Sequence, residues 1–356
     1  MNIIRDWFSR HFSDPQVVTL SLLLGGGILL VVFFGGYLAP VFAAVVFAYL
    51  LEGPVARLER WRVPRRAGAA LVSLMLLLAV LLSAFALVPL LARQVVQILQ
   101  DVPGVVGSIQ SWLEGLPERY PALITQDQVN TVMDAATRDI GSLRQVVLSR
   151  SVVVGVSLLY LAVYLVLVPL LVFFLLSDKG AILAWLRRFG PRNEGMVRQV
   201  WSEVDLQLAN YVRGKAVEIA LVWIVAYLVF SVLGLKYAML LSALVGLSVL
   251  VPYIGAFFMT LPVMLVAYSQ WGPTAYTLYV LAAYIVLQIL DGNVLVPILF
   301  SEAVSLHPVV IIAAVLFFGG VWGFWGVFFA IPLATLVNAV INAWPRTTQD
   351  ALETAP

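Results

Sequence analysis

The chain has 356 residues, of which 62% are hydrophobic and only 11% are charged, and its formal net charge is +2. Soluble domains carry about 25% charged residues, so this composition excludes an ordinary soluble protein and indicates a chain that lies largely in lipid. The small net charge gives no indication of nucleic-acid binding, and the lack of cysteine excludes disulfides and thiolate metal sites.

The first apolar tract, residues 15–51, is uncharged and too long for one crossing, which takes about 20 apolar residues. Glycines at 35–36 and Pro40 interrupt this tract, and residues of these types favour a turn. We therefore predict two short spans, residues 17–34 and 37–51, that form a hairpin.

A strongly basic loop follows the first tract. Its basic residues are Arg57, Arg60, Arg62, Arg65 and Arg66, and the acid among them is Glu59. Because loops rich in Lys and Arg stay on the cytoplasmic side, this loop is predicted to be cytoplasmic. An even number of spans before the loop also places Arg5 and Arg10 in the cytoplasm.

The third span is predicted over residues 67–92 and the fourth over about 152–176. Between them, residues 93–150 form a long polar stretch whose apolar residues recur at helical spacing. We expect the two spans to extend beyond the bilayer as an external helical projection. Residues 178–215 are again basic, which predicts a second cytoplasmic segment, here with two interfacial helices before a fifth span at 216–235.

Two later tracts have an unusual length. Residues 237–268 would form a helix of about 48 Å, half as long again as the bilayer core, yet each half is too short to cross. Residues 306–343 pose the same problem, and a normal span at 276–297 lies between them. Breaking residues lie near both centres, at 251–255 and 319–323. We therefore predict two re-entrant helical hairpins that meet near the membrane centre.

The two broken tracts also resemble each other in sequence. The peptide that runs from Gly255 to Pro262 is similar to the one from Gly326 to Pro332, with one residue missing. Paired hydrophobic segments interrupted by Gly or Pro point to the binding site of a transporter, because a broken helix frees backbone groups that need partners. The alternative is two long tilted spans with proline kinks and a chance similarity between them.

These predictions together describe an all-α polytopic membrane protein with about eight membrane segments, two of them re-entrant. The predicted regions are residues 1–92 with the N-terminal hairpin and third span, 93–150 with the projection, 151–215 with the fourth span and interfacial helices, 216–345 with the transport core, and a cytoplasmic tail at 346–356. Both termini are expected to be cytoplasmic.

Five motifs in chain order carry a resemblance to a known family. They are Val168-Pro169-Leu170-Leu171-Val172-Phe173-Phe174-Leu175-Leu176-Ser177-Asp178-Lys179, Tyr211-Val212-Arg213-Gly214, Val251-Pro252-Tyr253-Ile254-Gly255, Leu306-His307-Pro308, and a Gly-rich tract that ends in Phe329-Ala330-Ile331-Pro332-Leu333. Together they resemble the autoinducer-2 exporter family of bacterial membrane transporters. The resemblance covers nearly the whole chain.

The resemblance implies an inner-membrane protein that exports a small polar molecule such as autoinducer-2. It also implies a homo-oligomer, with a pentamer as the expected form. Some members of the family are described as sodium–proton antiporters, so cation exchange is an alternative. The expected partners are thus a small solute, membrane lipid and further copies of the chain, with no cofactor.

Charged residues within spans are rare and therefore indicate function. Asp291 lies deep in the span at 276–297, with Gln288 one turn before it and Asn293 just after. Their carboxylate and amides could bind a cation or a polyol. The alternative is an acid that is solvated at the cytoplasmic end of its helix.

Three further residues are candidates for coupling or gating. Glu218 could carry a proton or could pair with Lys215 or Arg213, and Arg213 could meet an anionic solute or reach the lipid headgroups. His307 could carry a proton or could cap a helix. The remaining solute-site candidates lie at the two predicted tips, namely Pro252, Tyr253, Gly255, Gly320 and Gly323.

Other function classes have less support in the sequence. With His11 and His307 as its histidines, the chain has no pair at the spacing of a zinc protease, and it has no phosphate-binding loop for ATP-driven pumping. We therefore do not expect an enzyme. A membrane scaffold or receptor that uses the external projection is the alternative from another class.

Overall fold

The computed structural model describes residues 15–114, 117, 127, 130, 154–188, 195–300 and 306–343. The regular structure in these ranges is helical, which confirms the all-α prediction. Among the described helices, six are long and apolar enough to cross a membrane, or up to seven if one bent pair is a span. The predictions for Arg5 and Arg10, for most of residues 115–150 of the projection, and for the tail at 346–356 lie outside the described residues.

Helix α1 (Pro15–Arg60) is continuous through the glycines at 35–36 and Pro40. The predicted pair of short spans, residues 17–34 and 37–51, is therefore wrong. Apolar helices in lipid tolerate Gly and Pro where neighbouring groups pack against the weakened turn. The 46 residues of α1 extend over about 69 Å. Because α1 is one helix, the even number of spans that supported a cytoplasmic N-terminus is lost.

The predicted third span continues as one unbroken helical run well beyond residue 92. Helix α2 (Arg65–Leu82), a π-helical turn (Ser83–Leu87) and helix α3 (Val88–Glu114) follow one another without a gap. At about 1.5 Å per residue this run exceeds the thickness of the hydrocarbon core, which is about 30 Å. The first helix of the predicted projection is therefore present as far as Glu114.

The fourth span is α4 (Val154–Ser177), and the chain bends by 82° between it and the short helix α5 (Lys179–Arg187). Helix α5 lies where the first interfacial helix is predicted. The second interfacial helix and the fifth span differ from the prediction, because they form one helix, α6 (Gly195–Val232). The sequence between them contains no proline, and Gly214 remains helical, so nothing ends the helix there.

The first broken tract is a helical hairpin, as predicted. Helix α7 (Ala238–Ser248) and helix α8 (Ile254–Trp271) are joined by five non-helical residues. The amide of Gln270 donates to the carbonyl of Gly234 at 2.8 Å, and its oxygen accepts from the backbone N–H of Lys236 at 2.8 Å. Because these bonds join the end of α8 to the chain just before α7, the two helices must be antiparallel.

The next span begins as predicted and contains an additional feature. Helix α9 (Ala275–Leu290) passes into a π-helical turn (Asp291–Leu295), and helix α10 (Val296–Phe300) continues it. A π-helical turn inserts one extra residue into a helix and occurs often at functional sites. The turn begins at the acid that the sequence singles out.

The second broken tract contains α11 (Pro308–Phe328) and α12 (Ala330–Ala343). Helix α11 is interrupted at Gly323, whose backbone has φ 61° and ψ −136°. The backbone folds back there, because Gly326 lies directly against the carbonyl of Phe318, eight residues earlier. The reversal lies at the C-terminal end of the predicted Gly-rich centre.

The chain forms two compact units. The first contains Met1–Leu74, Val168–Val217 and Ile298–Pro356, and thus the second hairpin. The second contains Met75–Leu167 and Glu218–Pro297, and thus the first hairpin and the π-helical turn at Asp291. The two hairpins thus belong to different units, and their predicted meeting stays a prediction.

In the second unit, the first hairpin packs against α6 and α9. The buried core there comprises Val222, Ala226, Phe230, Leu235, Leu241, Val245, Val249, Val263, Val266, Ala267, Val280, Tyr284 and Leu287. Helix α3 also holds the start of α7. Gln94 accepts the backbone N–H of Leu240 at 3.0 Å, and Asp101 accepts the hydroxyl of Tyr237 at 2.7 Å. Removal from water and the bond to Asp101 raise the pKa of Tyr237 to about 12.

In the first unit, Arg65 joins α1, α2 and α4. Its guanidinium bonds Glu52 at 3.0 Å, Glu59 at 3.2 Å and the carbonyl of Leu176 at 2.8 Å. Lys179 adds a second contact to Glu52 at 3.5 Å. Part of the arginine-rich loop is therefore neutralised by acids, including Glu52, which lies outside the loop.

Glycine allows α1 to pack against the second hairpin. The indole nitrogen edge of Trp322 lies where a side chain at Gly35 would begin. The ring of Phe42, two turns later on α1, meets the indole edge to face with centroids 4.6 Å apart. Gly36, by contrast, has open space around it. Gly35, one of the two glycines that the sequence suggested as a turn, is therefore a packing site.

Gly35→Ala should lower the melting temperature of the purified protein, because its methyl group would overlap the Trp322 indole. Overpacking of this kind typically costs about 1–3 kcal/mol. Gly36→Ala is the matched control and should leave stability unchanged or raise it, since alanine favours a helix over glycine. Equal melting temperatures for the two variants would contradict this packing.

Candidate functional site

The tip of the first hairpin is built from residues 249–253. Tyr253, 61% exposed, has a positive φ of 62°, a conformation that a residue with a side chain adopts at a cost. Gly255 follows, and a Cβ there would overlap the carbonyl of Ser248, the last residue of α7. The tip therefore needs glycine at 255, while Pro252 and Tyr253 lie within the non-helical segment.

The tip of the second hairpin uses the same device. Gly323 takes the positive φ, and Gly326 lies against the carbonyl of Phe318 where no side chain could fit. Gly255 and Gly326 are the first residues of the two similar peptides, so the sequence similarity reflects one shared turn. Sequence reasoning assigned Gly320 and Gly323 to this tip and missed Gly326, although the similarity already contained it. Gly320 has open space.

A chain of hydrogen bonds links α9 to the first tip. The Gln288 amide donates to the Tyr284 hydroxyl at 2.6 Å, and that hydroxyl donates to the carbonyl of Ala256 at 2.7 Å. Tyr284 is 1% exposed, so both of its bonds form away from solvent. The structure thus joins Gln288, a predicted site residue, to the residue after Gly255. Tyr284 was not predicted, since nothing in the sequence separates it from the other tyrosines of the span.

Asp291 opens the π-helical turn one helical turn beyond Gln288, and its Oδ1 is shielded from solvent. Asn293 donates its amide to the carbonyl of Ile289 at 2.9 Å. That bond supports the widened turn. Asn293 therefore bonds the backbone of its own helix, while Gln288 bonds the Tyr284 hydroxyl that reaches the hairpin.

Arg213 and His307 are the other candidates of the first unit, and the partners of their hydrogen bonds do not belong to the hairpin tip. Arg213 is exposed and donates to the carbonyl of Tyr49 at 3.3 Å, and the hydroxyl of Tyr49 makes a short 2.5 Å bond to Asp205. His307 accepts the backbone N–H of Val309 through Nδ1 at 3.3 Å. This geometry matches the capping interpretation of His307.

Glu218 lies on α6 in the second unit and is 1% exposed. A buried carboxylate is rare and costs free energy unless nearby groups compensate its charge, so its place on a spanning helix marks it as a functional candidate. Within the described residues, no three His, Asp or Glu side chains are grouped closely enough to hold a metal ion.

A buried tyrosine also holds the second hairpin. The Tyr211 hydroxyl donates to the carbonyl of Phe328 at 2.8 Å. In a helix this carbonyl would accept from the residue four positions later, but that residue is Pro332, which has no N–H. Tyr211 therefore supplies the donor that Pro332 lacks.

Comparison with known proteins now decides the family. A sequence model described as an AI-2E family transporter matches residues 19–346, which is most of the chain. The chain belongs to this family. The AI-2E assignment confirms the resemblance seen in the five motifs, and it identifies a multi-pass membrane transporter.

Three relatives show how far the similarity extends. PerM of Escherichia coli (strain K12), provisionally named a permease, is 46% identical, and the match covers 97% of this chain and 98% of PerM. YueF of Bacillus subtilis (strain 168), provisionally named a transport protein, is 24% identical over 87% of this chain and 84% of YueF. The AI-2 transport protein TqsA of Escherichia coli (strain K12) is 20% identical over 86% of this chain and 85% of TqsA.

Gly326→Ala should strongly reduce the yield of folded AI-2E protein, because the methyl group would overlap the backbone of Phe318, which cannot move aside as a side chain can. Gly320→Ala, with open space around the glycine, should fold normally. Size-exclusion profiles and melting temperatures of the two purified variants measure the difference. A folded, wild-type-like Gly326→Ala protein would contradict the shared turn.

Proposed function

We propose that this chain exports a small polar solute of the autoinducer-2 kind across the bacterial inner membrane. The observation that carries the proposal is the pair of broken-helix hairpins with equivalent glycine turns, one in each unit. Broken helices of this kind present backbone groups to solutes in transporters. The printed name of TqsA adds support for the solute class, although TqsA is a distant relative.

In this proposal the solute meets the two tips and the polar face of α9. Asp291 and Gln288 supply a carboxylate and an amide for hydroxyl or carbonyl groups of the solute, and Tyr253 and Pro252 line the first tip. The hydrogen bond from the Tyr284 hydroxyl to the Ala256 carbonyl supports this assignment, because it connects α9 with that tip, and Gln288 donates to the same hydroxyl. Gly320 and Gly323 line the second tip.

Coupling to an ion gradient is proposed to involve Glu218, because it is a buried acidic side chain on a spanning helix. Arg213 and His307 keep the gating roles suggested by the sequence, and facilitated export without coupling is the simpler form of the proposal. We also propose that the protein acts as a homo-oligomer, a pentamer, surrounded by lipid.

The proposed orientation places the basic segments at 57–66 and 178–194 in the cytoplasm, with the base of the first hairpin and α3 outside. The C-terminus is then cytoplasmic. A single crossing by α1 would put residue 15 on the opposite side of the membrane from the arginine-rich loop. A cytoplasmic N-terminus would instead require both ends of α1, Pro15 and Arg60, to lie on the cytoplasmic side of the membrane.

Asp291→Asn should abolish gradient-driven uptake of autoinducer-2 into proteoliposomes that contain the variant. The substitution removes the charge and keeps the volume, so folding and assembly should be unchanged. Glu203→Gln is the matched control, because Glu203 is an exposed acid on α6 that accepts a bond from Gln207. Wild-type flux through Asp291→Asn would return Asp291 to the interpretation as a solvated helix end.

Sodium-driven proton movement without autoinducer-2 uptake by the wild-type protein would favour the alternative function, a sodium–proton antiporter.

Single cysteines in this cysteine-free chain test the orientation. Ser108→Cys on α3 and Ser269→Cys at the base of the first hairpin should react with an impermeant thiol reagent in spheroplasts. Ser202→Cys on α6 should react only after the membrane is opened. Labelling of Ser269→Cys from the cytoplasmic side alone would contradict the proposed orientation of the first hairpin.

A further inference from the structure

Each hairpin is held by one buried tyrosine of a long apolar helix in its own unit. Tyr284 of α9 donates to the carbonyl one residue after Gly255, and Tyr211 of α6 donates to the carbonyl two residues after Gly326. Both phenols are nearly inaccessible, with Tyr284 1% and Tyr211 3% exposed. The two units thus use the same kind of bond, to a backbone carbonyl one or two residues after the tip glycine.

We propose that Tyr211 and Tyr284 are positioning residues that fix the two tips in the geometry that binds the solute. The inference rests on the proposed function, because it takes the tips as the solute site. Neither phenol needs to touch the solute. Each acts through a backbone carbonyl in the first turn after the tip, so a change there moves the tip glycine and the residues before it.

For the second hairpin the chemistry explains why a tyrosine is required. The carbonyl of Phe328 is buried and has lost its helical donor to Pro332, so without Tyr211 it would face an apolar surrounding with no replacement. An unpaired backbone group in hydrocarbon is strongly unfavourable. The hairpin arm would therefore shift until that carbonyl found another donor.

For the first hairpin, Tyr284 also couples the position of the tip to that of Gln288 on α9. Tyr284 accepts from Gln288, and Gln288 lies one helical turn before Asp291. The last turns of α9, just before the π-helical turn, and the first tip are therefore connected by two hydrogen bonds through one phenol. Removing the phenolic oxygen frees Gln288 and Ala256 together, while the ring still fills its place in the core.

The test compares Tyr284→Phe and Tyr211→Phe in the full-length protein reconstituted in lipid nanodiscs. Hydrogen–deuterium exchange should rise at residues 249–257 in the first variant and at 319–329 in the second, with the other tip unchanged in each. The exposed Tyr279 and Tyr227 lie on the same two helices, so Tyr279→Phe and Tyr227→Phe are matched controls that should change neither tip.

A rescue experiment separates positioning from general loss of stability. Pro332→Ala restores the N–H that the Phe328 carbonyl lacks, so Tyr211→Phe combined with Pro332→Ala should return exchange at the second tip to the wild-type level. In proteoliposomes, the KM for autoinducer-2 should rise about threefold to tenfold in each single tyrosine variant, as expected for one lost hydrogen bond, and recover in the double variant. The maximal rate should change less.

Unchanged exchange at both tips in the tyrosine variants, or a failure of Pro332→Ala to restore it, would overturn the inference. Exchange that rises selectively with an unchanged KM would keep the tyrosines as the groups that hold the tips and would refute the tips as the autoinducer-2 site. If the wild-type protein does not transport autoinducer-2, the proposed solute is wrong, and the exchange measurements still decide the role of the tyrosines.

Discussion

The requirement that every backbone polar group find a partner in a medium without water governs this structure. An unbroken helix meets it internally, but the two hairpins interrupt helices inside apolar tracts. At each interruption glycine allows one arm to lie against the carbonyls of the other, as Gly255 and Gly326 do. A phenol from a neighbouring helix supplies a further donor. Proline increases the number of backbone groups that need a partner, because Pro332 has no N–H to donate to the carbonyl of Phe328.

The same requirement explains the polar residues of α9. A π-helical turn changes which backbone N–H groups and carbonyls pair within a helix. The side-chain amide of Asn293 donates a hydrogen bond to the carbonyl of Ile289 there. Gln288 and Tyr284 are likewise satisfied by each other within the second unit. Polar side chains in this span therefore have structural partners as well as a proposed role, and the substitution of any one of them tests both.

Tract length was sufficient to predict the hairpins, because helices of 32 and 38 residues, the lengths of the two tracts, fit neither one crossing nor two. The same argument failed at α1, where Gly35 and Pro40 suggested a turn. Glycine at 35 instead admits the indole of Trp322, a residue nearly 300 positions later in the chain, and sequence spacing does not show such a contact. The tyrosine donors and the π-helical turn were unpredictable for the same reason. Both depend on which carbonyls lack a partner once the chain has folded.

The contacts of Arg65 are stronger than the phenolic bonds that hold the two hairpin tips, and this difference would allow the tips to move first during transport. Arg65 makes several charge-assisted bonds to Glu52, Glu59 and Leu176, so the loop between α1 and α2 is held at many points. Each hairpin is held near its tip by one neutral phenolic bond, which contributes about 0.5–1.5 kcal/mol. A ligand shifts a conformational equilibrium only by the difference in its affinity for the two states. A few solute contacts are enough to offset one neutral hydrogen bond, whereas they would not release the Arg65 network. Any movement that the solute drives should therefore begin at the tips.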